Sequence, residues 1–269
     1  MTNRSRPAAR QRLARTMAER VALDAQRRRK VRAGVGAGLA LLLVAVLGTW
    51  WLTRPAGHHA AASTASTGPA GCHWDVIPAG ARPSDVRDVG TPPAVPASAS
   101  GTATMTITTN LGAITVEIDR SKVPCAAATF AYLAGKHFFD NTPCHRLSDT
   151  GLQALQCGDP SGTGWGGTPY RYADENLPVG KRPDYPKGVV ALYNAGANTN
   201  QSQFYLVYAD SEVDPALPVL GRITSGLDIV EQVAAAGHDD AFTTNPDGSE
   251  GPGGGHPKKP VRILSLTVS

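Results

Sequence analysis

Residues 33–52, AGVGAGLALLLVAVLGTWWL, contain no charged side chain, and this constrains the chain more than any other feature. As an α-helix, 20 residues rising about 1.5 Å each reach roughly 30 Å, the hydrocarbon thickness of a bilayer. The run is therefore read as a transmembrane helix. Arg27, Arg28, Arg29, Lys30 and Arg32 stand directly before it and only Arg54 directly after it. That bias places the N-terminus in the cytoplasm, with Trp50 and Trp51 at the outer interface. A cleaved signal peptide is the alternative. Its apolar region is normally shorter and ends at small residues, which appear here only further on, between Ala56 and Ala62.

The charge balance follows this division. Residues 1–32 hold eleven Arg or Lys against Glu19 and Asp24, a net of +9, so the formal +4 of the whole chain leaves −5 for the rest. The basic tail serves to orient the anchor. It lacks the interleaved aromatics of a nucleic-acid arm, and no nucleic-acid partner is expected. With 41% hydrophobic residues the chain can build a core, which excludes wholesale disorder and fibrous repeats. The expectation is a single-pass cell-membrane protein with everything after Leu52 extracytoplasmic. Residues 53–102 form a linker in which 53–71 and 91–101 are rich in Ala, Ser, Thr, Pro and Gly. Cys72 and Trp74 interrupt it and mark a strap that docks back on the folded domain.

Four cysteines, Cys72, Cys125, Cys144 and Cys157, suit an oxidising compartment, and no spacing matches the knuckles of a structural zinc site. Three pairings exist. Cys144 and Cys157 flank a two-stranded hairpin, which favours that pair and leaves Cys72 for Cys125; four unpaired thiols are the alternative.

From residue 103 the pattern is that of a compact domain. Met105, Ile107 and Thr109, then Ile114, Val116 and Ile118, alternate about a turn at Asn110, Leu111 and Gly112, which predicts a hairpin. Pro124 opens a helix carrying Ala128, Phe130, Tyr132 and Leu133. Short strands are predicted at 144–148, 153–157, 188–193, 203–208, 218–224 and 261–268, and a second helix from Leu227 to Ala236, stopped by Gly237. Many short strands with only two helices point to a closed antiparallel barrel.

The runs FFDNTPCHRL (138–147), QCGDPSGTG (156–164) and NAGANTNQSQFY (194–205) resemble, in order, the blocks of the cyclophilin family. The resemblance covers roughly residues 103–269. It implies a mainly β fold, a closed eight-stranded antiparallel barrel capped by two helices, and peptidyl-prolyl cis/trans isomerase activity. Resonance gives the X-Pro amide a rotational barrier of about 18–20 kcal/mol. No covalent chemistry, cofactor or metal is needed to lower it. The catalyst must hold the proline ring in an apolar slot and supply a donor to the twisted amide. Arg146, after His145 in the family's His-Arg pair, is the candidate donor. By the same resemblance Gln156 orients the arginine, Asn194 and Gln203 bind the peptide backbone, and Tyr205 takes the place of a phenylalanine in the proline pocket.

Two departures bear on that pocket. The segment from Leu147 to Leu155 is about two residues longer than usual, so Gln153 and Ala154 stand where the family has Phe and Met, with Leu152 available to refill the space. Near Val213 and Leu217 the family's Trp and His are missing. Three other signals are set aside. The G-x-G-x-x-G spacing of Gly162 to Gly167 precedes no helix and reads as a loop; His58 and His59 read as solvated; Asn245 to Pro260 reads as a surface loop. Two function classes remain: a monomeric, membrane-anchored isomerase acting on proline-containing segments of exported proteins, and a catalytically weak domain of the same fold that binds such segments as a scaffold. A cell-envelope structural module is a third, weaker idea.

Overall fold

The structure, a computed structural model, describes residues 71–83, 85–93, 100–242 and 253–269. The tail 1–32, the apolar run 33–52 and the His58–His59 pair lie outside the described residues. Among the described residues no helix is long and apolar enough to cross a membrane.

Eleven strands and two α-helices are found there. After a two-residue strand β1 (Asp75–Val76), the hairpin β2 (Thr102–Thr109) and β3 (Gly112–Asp119) forms because both strands alternate: Met105, Ile107, Ile114, Val116 and Ile118 are at most 1% exposed. Helix α1 (Pro124–Gly135) begins with Pro124 in its first turn and buries Ala126, Ala127, Thr129, Phe130 and Leu133. Then come β4 (Thr142–Pro143), β5 (Arg146–Ser148), β6 (Ala154–Cys157), β7 (Tyr170–Arg171), β8 (Val189–Leu192), β9 (Phe204–Val207) and β10 (Val219–Ser225). Helix α2 (Leu227–Ala236) and β11 (Arg262–Val268) complete the order. The main core lies inside the curled sheet, where Phe130, Phe139 and Phe204 meet with ring centres 5.6–6.3 Å apart.

Nine strands form one antiparallel sheet in the order β4-β11-β2-β3-β10-β8-β9-β6-β5. This differs from the closed eight-stranded barrel expected above: the sheet curls, but no ladder joins its edges β4 and β5. The reason is local. Only Cys144 and His145 separate the two strands, and Pro143 has no amide to extend the ladder. Single contacts hold the seam: Cys144 N–H donates to Val261 O (2.9 Å), and Leu147 exchanges hydrogen bonds with Gly255 (2.8 and 3.0 Å). Gly254 permits this approach, since a Cβ there would stand 2.1 Å from Leu147 O.

Both disulfides of the favoured pairing form, Cys72–Cys125 and Cys144–Cys157. The first fastens a strap, residues 71–93, across α1. It is also held by Trp74 Nε1 donating to Thr129 Oγ1 (3.0 Å), by Tyr132 OH donating to Val89 O (2.5 Å), and by the β1–β7 ladder, among other bonds.

Candidate active site

Strand register assembles the site. Arg146 on β5 pairs with Gln156 on β6, Gln156 with Tyr205 on β9, and Tyr205 with Ala191 on β8, making one row across four strands. Side chains alternate between faces along a strand. Leu147, Leu155, Leu206 and Val190 therefore turn into the main core, and the Arg146 row takes the opposite face.

That face is wired by hydrogen bonds that run back to one carboxylate. Gln156 Nε2 donates to Gln203 Oε1 (2.8 Å), and Gln203 Nε2 donates to the carbonyls of Gly164 (3.1 Å) and Gly166 (2.8 Å). The loop presenting those carbonyls is folded around Asp159, which is fully buried. Its carboxylate accepts from the N–H groups of Ser161 (2.7 Å), Gly164 (2.6 Å) and Gly166 (3.2 Å) and from the Ser161 hydroxyl (2.7 Å). The G-x-G-x-x-G stretch is thus a loop, as its context implied, and it braces two glutamines. Arg146 is steadied from the seam, where its Nε donates to Gly253 O (3.1 Å).

A cavity of about 300 Å³ opens beside this row, lined by His145, Arg146, Gln156, Thr163, Gly164, Trp165, Tyr193 and Phe242. A guanidinium and an amide therefore face three aromatic walls. His145 is buried with neither ring nitrogen hydrogen-bonded. Burial, aided by the positive charge of Arg146 and opposed by Asp159, holds its pKa down at about 4, so the ring is neutral at pH 7. Burial likewise pushes the Tyr205 hydroxyl up to about 12 despite Arg146 nearby.

The other residues named from sequence do not line this cavity. Gln203 stands one hydrogen bond behind it. Ala154 and Tyr205 share its sheet face but pack into a second apolar cluster with Tyr185, Val189, Ala191 and Val207, against which Leu152, Val213 and Leu217 lie half-buried. Leu217 N–H donates to the Tyr185 hydroxyl (2.9 Å). The Asn194 amide donates to Ala216 O (3.0 Å) and Asp174 Oδ1 (3.4 Å), tying two loops together. Sequence reasoning missed Trp165, Tyr193 and Phe242 as walls, Asp159 as loop organiser and Gly253 as arginine anchor. An aromatic inside the glycine-rich loop was the one local signal available. Among the described residues no group of three or more His, Cys, Asp or Glu is placed to hold a metal.

Residues 104–268 match the family model for "Cyclophilin type peptidyl-prolyl cis-trans isomerase/CLD". The chain belongs to this family. The cyclophilin domain is similar to a "Probable peptidyl-prolyl cis-trans isomerase B" of Mycobacterium leprae, 40% identical over 168 residues, covering 58% of this chain and 56% of that protein. A protein of the same description from Mycobacterium tuberculosis is 36% identical over 210 residues, covering 74% of this chain and 63% of that protein. The match thus spans less than two thirds of either relative. A crystal structure of a Cryptosporidium parvum cyclophilin-type isomerase aligns at 22% identity with a TM-score of 0.49, covering 63% of this chain and 98% of that one.

Proposed function

We propose that this cyclophilin is a peptidyl-prolyl cis/trans isomerase acting on X-Pro bonds of exported proteins, held at the outer face of the cell membrane by residues 33–52. The observation that carries the reading is Arg146, a permanent cation fixed by register beside Gln156 and opening onto an apolar cavity. Rotation of the amide ends its resonance and leaves the proline nitrogen pyramidal and basic. A guanidinium N–H of Arg146 donates to that nitrogen or to the preceding carbonyl, an interaction stronger in the twisted state than in either planar isomer. Gln156 and Gln203 keep the arginine and the peptide backbone in register. The half-buried Leu152, Val213 and Leu217, backed by Ala154 and Tyr205, supply apolar surface for the proline ring, and Asn194 ties its loop to Ala216 and Asp174. Both disulfides and the charge bias around residues 33–52 favour an extracytoplasmic setting.

The test is a coupled isomerisation assay on a short X-Pro peptide with the full chain in detergent or vesicles. Arg146→Ala should lower kcat/KM on the order of 100-fold, as loss of one charge-stabilising donor does, with the fall mainly in kcat. Protease applied to intact cells should reach the C-terminal domain. A second reading, a scaffold that binds proline segments with little turnover, is favoured by the burial of Ala154 and Tyr205 in an apolar cluster with Leu217 packed against it. Peptide binding without acceleration over buffer would select it.

A further inference from the structure

Trp165 is 78% exposed, in a domain that buries most of its other aromatics. An indole on the rim of a cavity it helps to wall is the usual setting of an anchor for an apolar partner. With Tyr193 and Phe242 it bounds the space beside Arg146, whose volume of about 300 Å³ lies at the small end of ligand sites and suits a substrate side chain better than a cofactor.

The loop bearing Trp165 is held from the outside by the strap. Trp165 N–H donates to Thr163 Oγ1 (3.2 Å), and the Thr163 hydroxyl donates to Asp85 Oδ2 (2.7 Å). Two residues on, Arg87 N–H donates to Gly167 O (3.0 Å). Gly166 lies so close beneath the strap that a Cβ there would stand 2.9 Å from Asp85 O. The strap is itself anchored in the domain, since Arg87 Nη1 donates to Phe138 O (2.7 Å) with its guanidinium 5.6 Å from the Phe138 ring centre. Residues 71–93 lie before the matched region 104–268, so the strap adds to the site something outside the family domain.

We propose that the strap is a working part of the peptide site: Asp85, acting through Thr163, positions Trp165 so that the cavity selects substrates carrying a large apolar side chain next to the X-Pro bond. The inference rests on the reading of the Arg146 face as a proline-peptide site. Asp85 is a positioning residue. Its carboxylate makes a charge-assisted bond, stronger than a neutral one, to the hydroxyl that in turn receives the Trp165 amide.

The experiment uses the full chain and two series of X-Pro peptides, one varied at X and one at the residue before X, each comparing phenylalanine with glycine. Affinity is read by titration and turnover by the isomerisation assay. In one series the wild type should prefer phenylalanine severalfold. Trp165→Ala should abolish the preference, Thr163→Val should reduce it, and Asp85→Ala, which lies outside the cavity lining, should reduce it through KM with kcat unchanged. Asp85→Asn, which keeps an acceptor oxygen, should restore it. Hydrogen exchange at the Trp165 amide should quicken in Asp85→Ala and recover in Asp85→Asn. Equal affinity for phenylalanine and glycine in both series, or a preference unmoved by Asp85→Ala and Thr163→Val, overturns the inference alone. No binding of any peptide overturns the proposed function, and the inference with it.

Discussion

His145 sits at the centre of the site with both ring nitrogens buried and unpaired, an arrangement that costs about 1–3 kcal/mol for each group left unsatisfied. Packing alone does not call for it, because leucine would fill similar space without the penalty. Its folded pKa of about 4 lies below the ordinary 6.5, so as the pH falls the unfolded chain takes up the proton first. The stability associated with neutral His145 is complete above about pH 6.5 and is lost toward pH 4, by up to ~3 kcal/mol. Urea midpoints across that window should fall for the wild type and stay flatter for His145→Leu, which should be at least as stable at pH 7. An unchanged slope in the variant would assign the acid sensitivity elsewhere. Single residues were legible in sequence where a contiguous motif carries them, as for Arg146, Gln156 and Gln203. Phe242 reaches the cavity, and Gly253 reaches Arg146, only because the sheet seam brings a segment about a hundred residues downstream against β5. No local pattern announces such a meeting.

At the scale of elements, alternation and turn chemistry placed both helices within about a residue of where they lie and the β2–β3 hairpin within about three, since these depend on neighbours close in sequence. What caps α1 was not legible. Val123 at its N-cap makes no side-chain bond. Glu175, fifty residues downstream, accepts from the N–H groups of Cys125 (3.0 Å) and Ala126 (2.9 Å). A carboxylate there satisfies two orphan amides and faces the positive end of the helix, even though burial raises its pKa. Glu175→Ala should destabilise the domain by about 1–2 kcal/mol, in the range of a lost N-cap. Glu175→Gln, which keeps an acceptor, should cost less. Equal urea midpoints for Glu175→Ala and wild type would show that water replaces the cap.

Across the whole molecule, the two disulfides hold different kinds of structure, and their removal should separate accordingly. Cys144 and Cys157 are buried within the main core, next to Arg146 and Gln156 and at the seam where the sheet edges meet. Cys72 and Cys125 are half-buried and join a strap whose described residues bury only Ile77 and Pro92 among their apolar side chains, with Trp74 and Val89 half-buried against the core. In the loop-entropy account a link closing about 15 residues contributes roughly 3 kcal/mol, and a longer loop somewhat more. That account ranks the strap bond, with its separation of 53 residues against 13, as the stronger stabiliser. The placement of the bonds argues the reverse, because opening the strap leaves the curled sheet and its aromatic cluster intact, and stability is lost locally. Replacing Cys144 and Cys157 by serine should therefore lower the urea midpoint of the whole domain. Replacing Cys72 and Cys125 should leave that midpoint nearly in place, expose residues 71–93 to protease, and reduce peptide affinity through the Asp85–Thr163–Trp165 relay. Equal losses of global stability in the two double variants would mean that the strap belongs to the folding core, and that the domain cannot be divided at residue 103.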